Sequence, residues 1–194
     1  MGVRQGLLLR EVLPFAVRFV ALLAAALLAD AGLHLINAVW VGRFLGIPGV
    51  LLILASFGHS LRKRGWIQGS DTVRLLHLHE WLGWSGSWLV LVHAGIHFNA
   101  VLAWLTVGAM LVVIASGLTG KYLLRQVLAG LRDARTELLA AGVPEAEVKE
   151  RLQHDSLTVD VIRQWRAVHL PIALAFAVLG SAHIIAILLF WGWR

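Results

Sequence analysis

Apolar segments long enough to cross a membrane follow one another along this 194-residue chain, separated by short polar stretches. No formally charged residue occurs between Glu80 and Lys121, and these roughly 40 residues accommodate two spans of about 20 each. The pattern predicts an all-α integral membrane protein with a single domain over 1–194, built as a bundle of five transmembrane helices. The predicted spans are 14–36, 44–61, 77–98, 101–121 and 167–191.

The polar segment between the fourth and fifth spans, 122–163, has a pattern of its own. Leu124, Leu128 and Leu131 recur at helical spacing with arginines on the opposite side, which predicts an amphipathic helix. Gly142 is a typical helix stop and Pro144 a typical helix start. We therefore expect a cytoplasmic helical hairpin between helices 4 and 5, which either lies on the lipid headgroups or docks a partner subunit.

Composition and charge placement agree with a membrane protein. Hydrophobic residues make up 59% of the chain and charged residues 14%, against about 25% charged in soluble domains. The net charge is +6, and with the N-terminus in the cytoplasm only Arg43 and Arg194 would lie beyond the outer ends of the spans. The positive-inside rule then predicts a cytoplasmic N-terminus and an outer C-terminus, in what we expect to be a bacterial inner membrane. This placement explains the basic charge without nucleic acid.

Two pairs of histidines suggest the chemistry. His79 and His93 are 14 residues apart in the third span, and His169 and His183 are 14 residues apart in the fifth. Fourteen residues are close to four helical turns, so each pair lies on one helix face, about 21 Å apart. In a five-span bundle these two helices run in the same direction, which places His79 level with His169 and His93 level with His183. We predict that the four side chains are metal ligands for two haem b groups.

Cysteine content limits how such a haem could be held. The chain has no cysteine, which excludes disulfides, iron–sulfur ligation by its own thiolates and covalent attachment of haem. Any haem is therefore expected to be held non-covalently, and the two histidine pairs predict that each haem is bis-histidyl.

Small residues lie between the paired histidines. Gly83 and Gly86 continue the face of His79 and His93, and Gly180 lies on the face of His169 and His183. Glycine is costly in a helix, so we expect these three to make room for the porphyrins as cofactor-binding residues. The alternative is ordinary close packing of membrane helices through small residues.

Other residues leave alternatives open. His97 lies one turn beyond His93 and could replace it as a ligand, although its spacing to His79 does not match the fifth span. A third haem held by His34 and His97 is conceivable. His34 and His59 lie at opposite membrane levels, so these two cannot share one iron. Pro171 predicts that the fifth helix is kinked there or begins there.

A family resemblance follows from these motifs. The two H-x13-H pairs, with the basic tripeptide 62–64 before them and SGLTGKY at 116–122 after span four, resemble the ferric-reductase-like transmembrane domain. They are similar, more loosely, to the haem core of the bc-type di-haem cytochromes b, and the likeness covers roughly 44–192. The resemblance implies that the four histidines ligate two haems that carry electrons across the membrane. Such reductases usually continue into a flavin and nicotinamide domain, which this sequence does not contain.

We therefore expect a di-haem b-type cytochrome, an electron-transfer subunit of an oxidoreductase complex rather than an enzyme alone. It would carry electrons between the quinone pool or an inner-face donor and a partner iron–sulfur, flavin or cytochrome protein. One alternative is a quinone-reactive cytochrome b anchor of a respiratory dehydrogenase or hydrogenase, with quinone near Glu80, His97 or Asn99. A second alternative is a non-redox membrane assembly or scaffold subunit that uses the 122–163 hairpin.

Overall fold

A computed structural model of the chain describes residues 13–58, 72–95, 100–153 and 156–190. The predicted all-α class is confirmed, because these residues form helices joined by turns and contain no strand. The helices are α1 (Leu13–Leu35), α2 (Val39–Ser56), α3 (Thr72–Ala94), α4 (Val101–Ala140), α5 (Glu145–Gln153) and α6 (Ser156–Phe190).

Four helical segments are long and apolar enough to cross a membrane, which indicates an integral membrane protein. They are Leu13–Leu35, Val39–Ser56, Val101–Leu123 and Arg163–Phe190. The segment predicted as the third span is also helical, and with 23 residues α3 has sufficient length. Its Arg74, Glu80 and three histidines make it less apolar than the other four. The five-span bundle therefore stays a prediction.

The first two helices are joined by a tight turn. Asn37 has a φ of 54°, the amide of Asn37 donates to the carbonyl of His34, and the amide of Ala38 donates to the carbonyl of Leu33. This hydrogen-bond pattern is the usual left-handed end of an α-helix. Because the turn is so short, α2 begins at Val39, earlier than the predicted start at residue 44.

The fourth helix continues well beyond the predicted span. We predicted a span over 101–121 followed by a separate amphipathic helix, but α4 runs unbroken for 40 residues to Ala140 and contains both. Gly142 is confirmed as the stop, because it has a φ of +81° and the amide of Val143 donates to the carbonyl of Leu138. A short helix follows Pro144, and an ion pair joins Arg135 to Glu145 in its first turn.

The last helix also begins earlier than predicted. It starts at Ser156, before the predicted residue 167, and Pro171 lies inside it. The alternative that this helix begins at Pro171 is therefore wrong. Proline inside a helix removes one backbone hydrogen bond but does not always end the helix when the flanking residues favour it.

The chain divides into two compact units, Met1–Val107 and Gly108–Arg194. In the first unit, α2 and α3 approach closely at two glycines. A Cβ on Gly86 would lie 2.7 Å from the carbonyl oxygen of Gly49 and 2.8 Å from Cγ1 of Ile53. A Cβ on Gly49 would in turn lie 2.8 Å from Cγ2 of Val90. This contact holds α3 against α2 and so determines where the histidines of α3 lie.

Candidate functional site

His79 lies in the N-terminal half of α3, next to the C-terminal end of α2. Its Nδ1 is 2.9 Å from the carbonyl oxygen of Ser56, the last residue of α2. The last four carbonyls of a helix lack partners within that helix, so this oxygen is available as an acceptor. The ring of Phe57 lies beside the imidazole, with 6.3 Å between the centroids.

His93 lies in the last turn of α3, next to the N-terminal part of α2. Its Nδ1 is 3.2 Å from the carbonyl oxygen of Gly42. The imidazole packs against Gly46, where an added Cβ would lie 2.8 Å from Cδ2 and 2.9 Å from Cγ of the ring. The bare backbone at Gly46 thus provides the space that the ring of His93 occupies.

The two carbonyl acceptors determine which ring nitrogen of each histidine carries the proton. A carbonyl oxygen can only accept a hydrogen bond, so Nδ1 of His79 and Nδ1 of His93 must each carry a proton and donate it. In a neutral imidazole this leaves the lone pair on Nε2, the atom that can bind a metal. The acceptor residues Gly42 and Ser56 are themselves 14 residues apart, the same separation as the two histidines. One helix therefore orients both imidazoles in the same way.

The three predicted porphyrin glycines lie in different surroundings. Gly86 is buried against α2, so it serves the close helix packing that was the alternative expectation. Gly83 lies on the same helix, and among the described residues no atom outside that helix is within 4 Å of the position its Cβ would take. Gly180 is partly buried on α6.

In the second unit, His169 contacts α4. Its Nδ1 is 3.1 Å from the hydroxyl oxygen of Ser116. The ring stacks on Trp165, one turn earlier in α6, with centroids 4.9 Å apart and planes inclined by 22°. The indole Nε1 of Trp165 donates to the carbonyl oxygen of Ser116 at 2.9 Å. Ser116 therefore accepts from the indole through its main chain and contacts the imidazole through its side chain.

Partly buried residues form one continuous stripe along α6, whereas its other described side chains from Arg163 onward are exposed. The stripe has the three- and four-residue spacing of a single helix face. His169 and His183 both belong to it, so the face predicted from the sequence is the more enclosed face of this helix. The stripe consists of Trp165, His169, Ile172, Ala173, Phe176, Leu179, Gly180, Ala182, His183 and Ala186.

The structure thus places His79 and His93 together on the side of α3 that faces α2, and His169 and His183 together on the stripe of α6. The pairing of His79 with His169 and of His93 with His183 would join the two units and stays a prediction. In the ranges 13–58, 72–95, 100–153 and 156–190, no three His, Asp or Glu side chains form a group that could hold a metal ion.

Of the remaining candidates, His34 donates through Nδ1 to the carbonyl oxygen of Asp30 at 2.9 Å, and His77 is exposed on α3. Glu80 is partly buried. The other predicted positions lie outside the described residues: His59, the basic tripeptide 62–64, His97, Asn99 and His154.

Sequence reasoning missed the residues that orient the imidazoles. Gly42, Gly46 and Gly49 form a run of small residues on α2, and that spacing is a recognisable signal for close helix approach. Ser116 and Gly120 lie inside the SGLTGKY segment, but nothing in the sequence links them to His169 and Trp165. Comparisons with protein-family models, with curated proteins and with solved structures found no match to this chain.

Proposed function

We propose that this protein is a di-haem b-type cytochrome that carries electrons within or across the membrane. The single observation that carries the proposal is the orientation of His79 and His93 by α2. Both Nδ1 atoms donate to main-chain carbonyls, so the Nε2 lone pair of each neutral ring is the one suited to iron. Haem-ligating histidines need this second hydrogen bond to fix the ring and its tautomer.

The surroundings of the histidines also fit a porphyrin. Among the described residues, no atom outside α3 lies within 4 Å of a Cβ on Gly83, so the space next to this residue is open. On α6 the enclosed stripe offers His169 and His183 with small or flat residues between them, among them Ala173 and Phe176. Donor atoms of this kind, imidazole nitrogens in an apolar environment without thiolates, suit a non-covalent haem b.

A haem iron supplies one-electron chemistry, since it cycles between the ferric and ferrous states. The residues of the chain would hold it and exclude competing reactions. His79 with His169, and His93 with His183, would each hold one haem through two imidazole ligands, and a haem held in this way would disfavour oxygen binding. The partly buried surroundings of the four rings would limit the access of water. Burial and the Nδ1 hydrogen bonds would then set the two potentials.

The proposed arrangement has five spans, with α3 as the third and a cytoplasmic N-terminus. With α3 and α6 running in the same direction, the two haems would lie one near each leaflet, about 21 Å apart along the helices. Electrons would pass between the quinone pool or an inner-face donor and a partner redox protein. The supporting observation for the membrane location is the set of four apolar helices.

The test is the haem content of purified wild-type protein and single histidine variants. A pyridine haemochrome assay should give two b-type haems per chain, with the reduced spectrum of low-spin iron. His79→Ala, His93→Ala, His169→Ala and His183→Ala should each lower this value to one or less. His77→Ala is the matched control, because His77 lies on the same helix as His79 but is exposed, and it should keep both haems. A colourless wild-type protein would refute the proposal and favour the scaffold alternative.

A further inference from the structure

Ser116 and three neighbours form a compact group in the second unit, named here the Ser116 cluster: Ser116 and Gly120 on α4, Trp165 and His169 on α6. The indole of Trp165 lies over Gly120, where an added Cβ would overlap ring atoms Cε2 and Cζ2. From this position Nε1 of Trp165 donates to the carbonyl of Ser116, and its ring stacks on the imidazole of His169. The absence of a side chain at Gly120 thus allows Trp165 to support His169.

The support of His169 differs chemically from that of the histidines in the first unit. His79 and His93 donate to main-chain carbonyls, which no side-chain substitution removes. The partner of His169 is a hydroxyl oxygen, which can donate or accept. If Nε2 of His169 binds iron, Nδ1 must carry the proton, and the hydroxyl of Ser116 becomes its acceptor. The Nδ1 contact of His169 is therefore to a side chain, whereas those of His79 and His93 are to the main chain.

We propose that Ser116 and Trp165 are positioning residues that set the midpoint potential of the haem ligated by His169. This inference rests on the proposed function. Donation from Nδ1–H to an acceptor makes the imidazole a stronger electron donor to iron, which favours the ferric state and lowers the potential. The stacked indole holds the plane of the ring and so keeps Nδ1 directed at the hydroxyl.

The first experiment is a redox titration of the holoprotein with Ser116→Ala, Ser116→Thr and Thr119→Val variants. Ser116→Ala should keep two haems and shift the potential of one of them to a more positive value, leaving the other unchanged. Ser116→Thr retains the hydroxyl and should restore the wild-type value. Thr119→Val is the control, since it removes an exposed hydroxyl of α4 that bonds only to the carbonyl of Ala115 in its own helix.

The second experiment separates the hydrogen bond of the Trp165 N–H from the stacking of its ring on His169. Trp165→Phe keeps an aromatic ring beside His169 but removes the N–H, whereas Trp165→Leu removes both. We expect Trp165→Leu to produce a high-spin fraction in the electron paramagnetic resonance spectrum of one haem, and Trp165→Phe to produce less. Equal spectra for wild type and Trp165→Leu would contradict a positioning role for the indole.

The outcomes distinguish this inference from the function on which it rests. If purified wild-type protein contains no haem, the proposed function itself is refuted. Wild-type protein with two haems, but with both potentials unchanged in Ser116→Ala, defeats only the role of Ser116. Loss of one haem in Ser116→Ala would also overturn the inference, because Ser116 would then be needed for haem binding rather than for the potential of a bound haem.

Discussion

At the scale of single residues, the contact between Gly46 and His93 allows a direct test of whether the position of the His93 ring matters for haem binding. A Cβ on Gly46 would lie 2.8 Å from Cδ2 of the imidazole, closer than real Cβ contacts allow. A Cβ added to Gly42 would lie 3.4 Å from Cδ1 of Leu33, which is an ordinary contact. Gly46→Ala should therefore move the ring away from the Gly42 carbonyl, and Gly42→Ala should leave it in place.

The expected result is loss of one of the two haems in Gly46→Ala and retention of both in Gly42→Ala, measured as the haem-to-protein ratio. Both variants add one methyl group to the same helix and gain the same helix propensity, up to about 1 kcal/mol. The difference between them therefore isolates the displacement of His93. Equal haem content in the two variants would mean that the position of this ring does not matter for binding.

At the scale of helices, the packing of α2 against α3 depends on Gly86. A methyl group there would meet the backbone of α2, at 2.7 Å from the carbonyl oxygen of Gly49, and backbone cannot give way as a flexible side chain can. Gly86→Ala should destabilise the protein by about 1–3 kcal/mol, the usual cost of overpacking. Gly32→Ala in α1 is the control, because among the described residues no atom outside its own helix lies within 4 Å of the Cβ position and Gly32 has no proposed role in haem binding. Thermal unfolding in detergent should show a lower midpoint for Gly86→Ala than for Gly32→Ala.

The sequence predicted the helices better than their ends. The first span, predicted as 14–36, corresponds closely to Leu13–Leu35. Its C-terminal end was predictable because the apolar run stops there and the turn residue Asn37 follows. Hydropathy marks where a helix leaves the membrane but not where it ends, so the predicted span 101–121 and the amphipathic helix predicted after it were not recognised as one helix, α4. The stop at Gly142 was recognised because its chemistry is local.

The candidate site was predictable only in part, for a similar reason. The 14-residue spacing of His79 and His93 shows that they share a face, but their acceptors are main-chain carbonyls, which every residue possesses. The sequence alone therefore does not indicate which main-chain carbonyl will accept a hydrogen bond from each histidine. Only the packing at Gly46 and Gly49, which sets the approach of α2 to α3, decides it.

At the scale of the whole molecule, the proposal requires α3 to cross the membrane. If it does, the chain crosses three times between the turn after α1 and the turn after α4, so these turns lie on opposite sides. If α3 does not cross, only α2 and α4 cross between them, and both turns lie on the same side. Ile36 and Ala141 are exposed at these two turns and can report their locations.

The chain is well suited to this measurement because it contains no cysteine. Single variants Ile36→Cys and Ala141→Cys can therefore be labelled with a membrane-impermeant maleimide without background. In intact cells we expect labelling of Ile36→Cys alone, and after permeabilisation labelling of both, which also controls for reactivity. Labelling of both variants in intact cells would mean that α3 does not span the membrane. His79 and His93 could not then lie near opposite leaflets, and two haems stacked across the membrane would have no ligands from this helix.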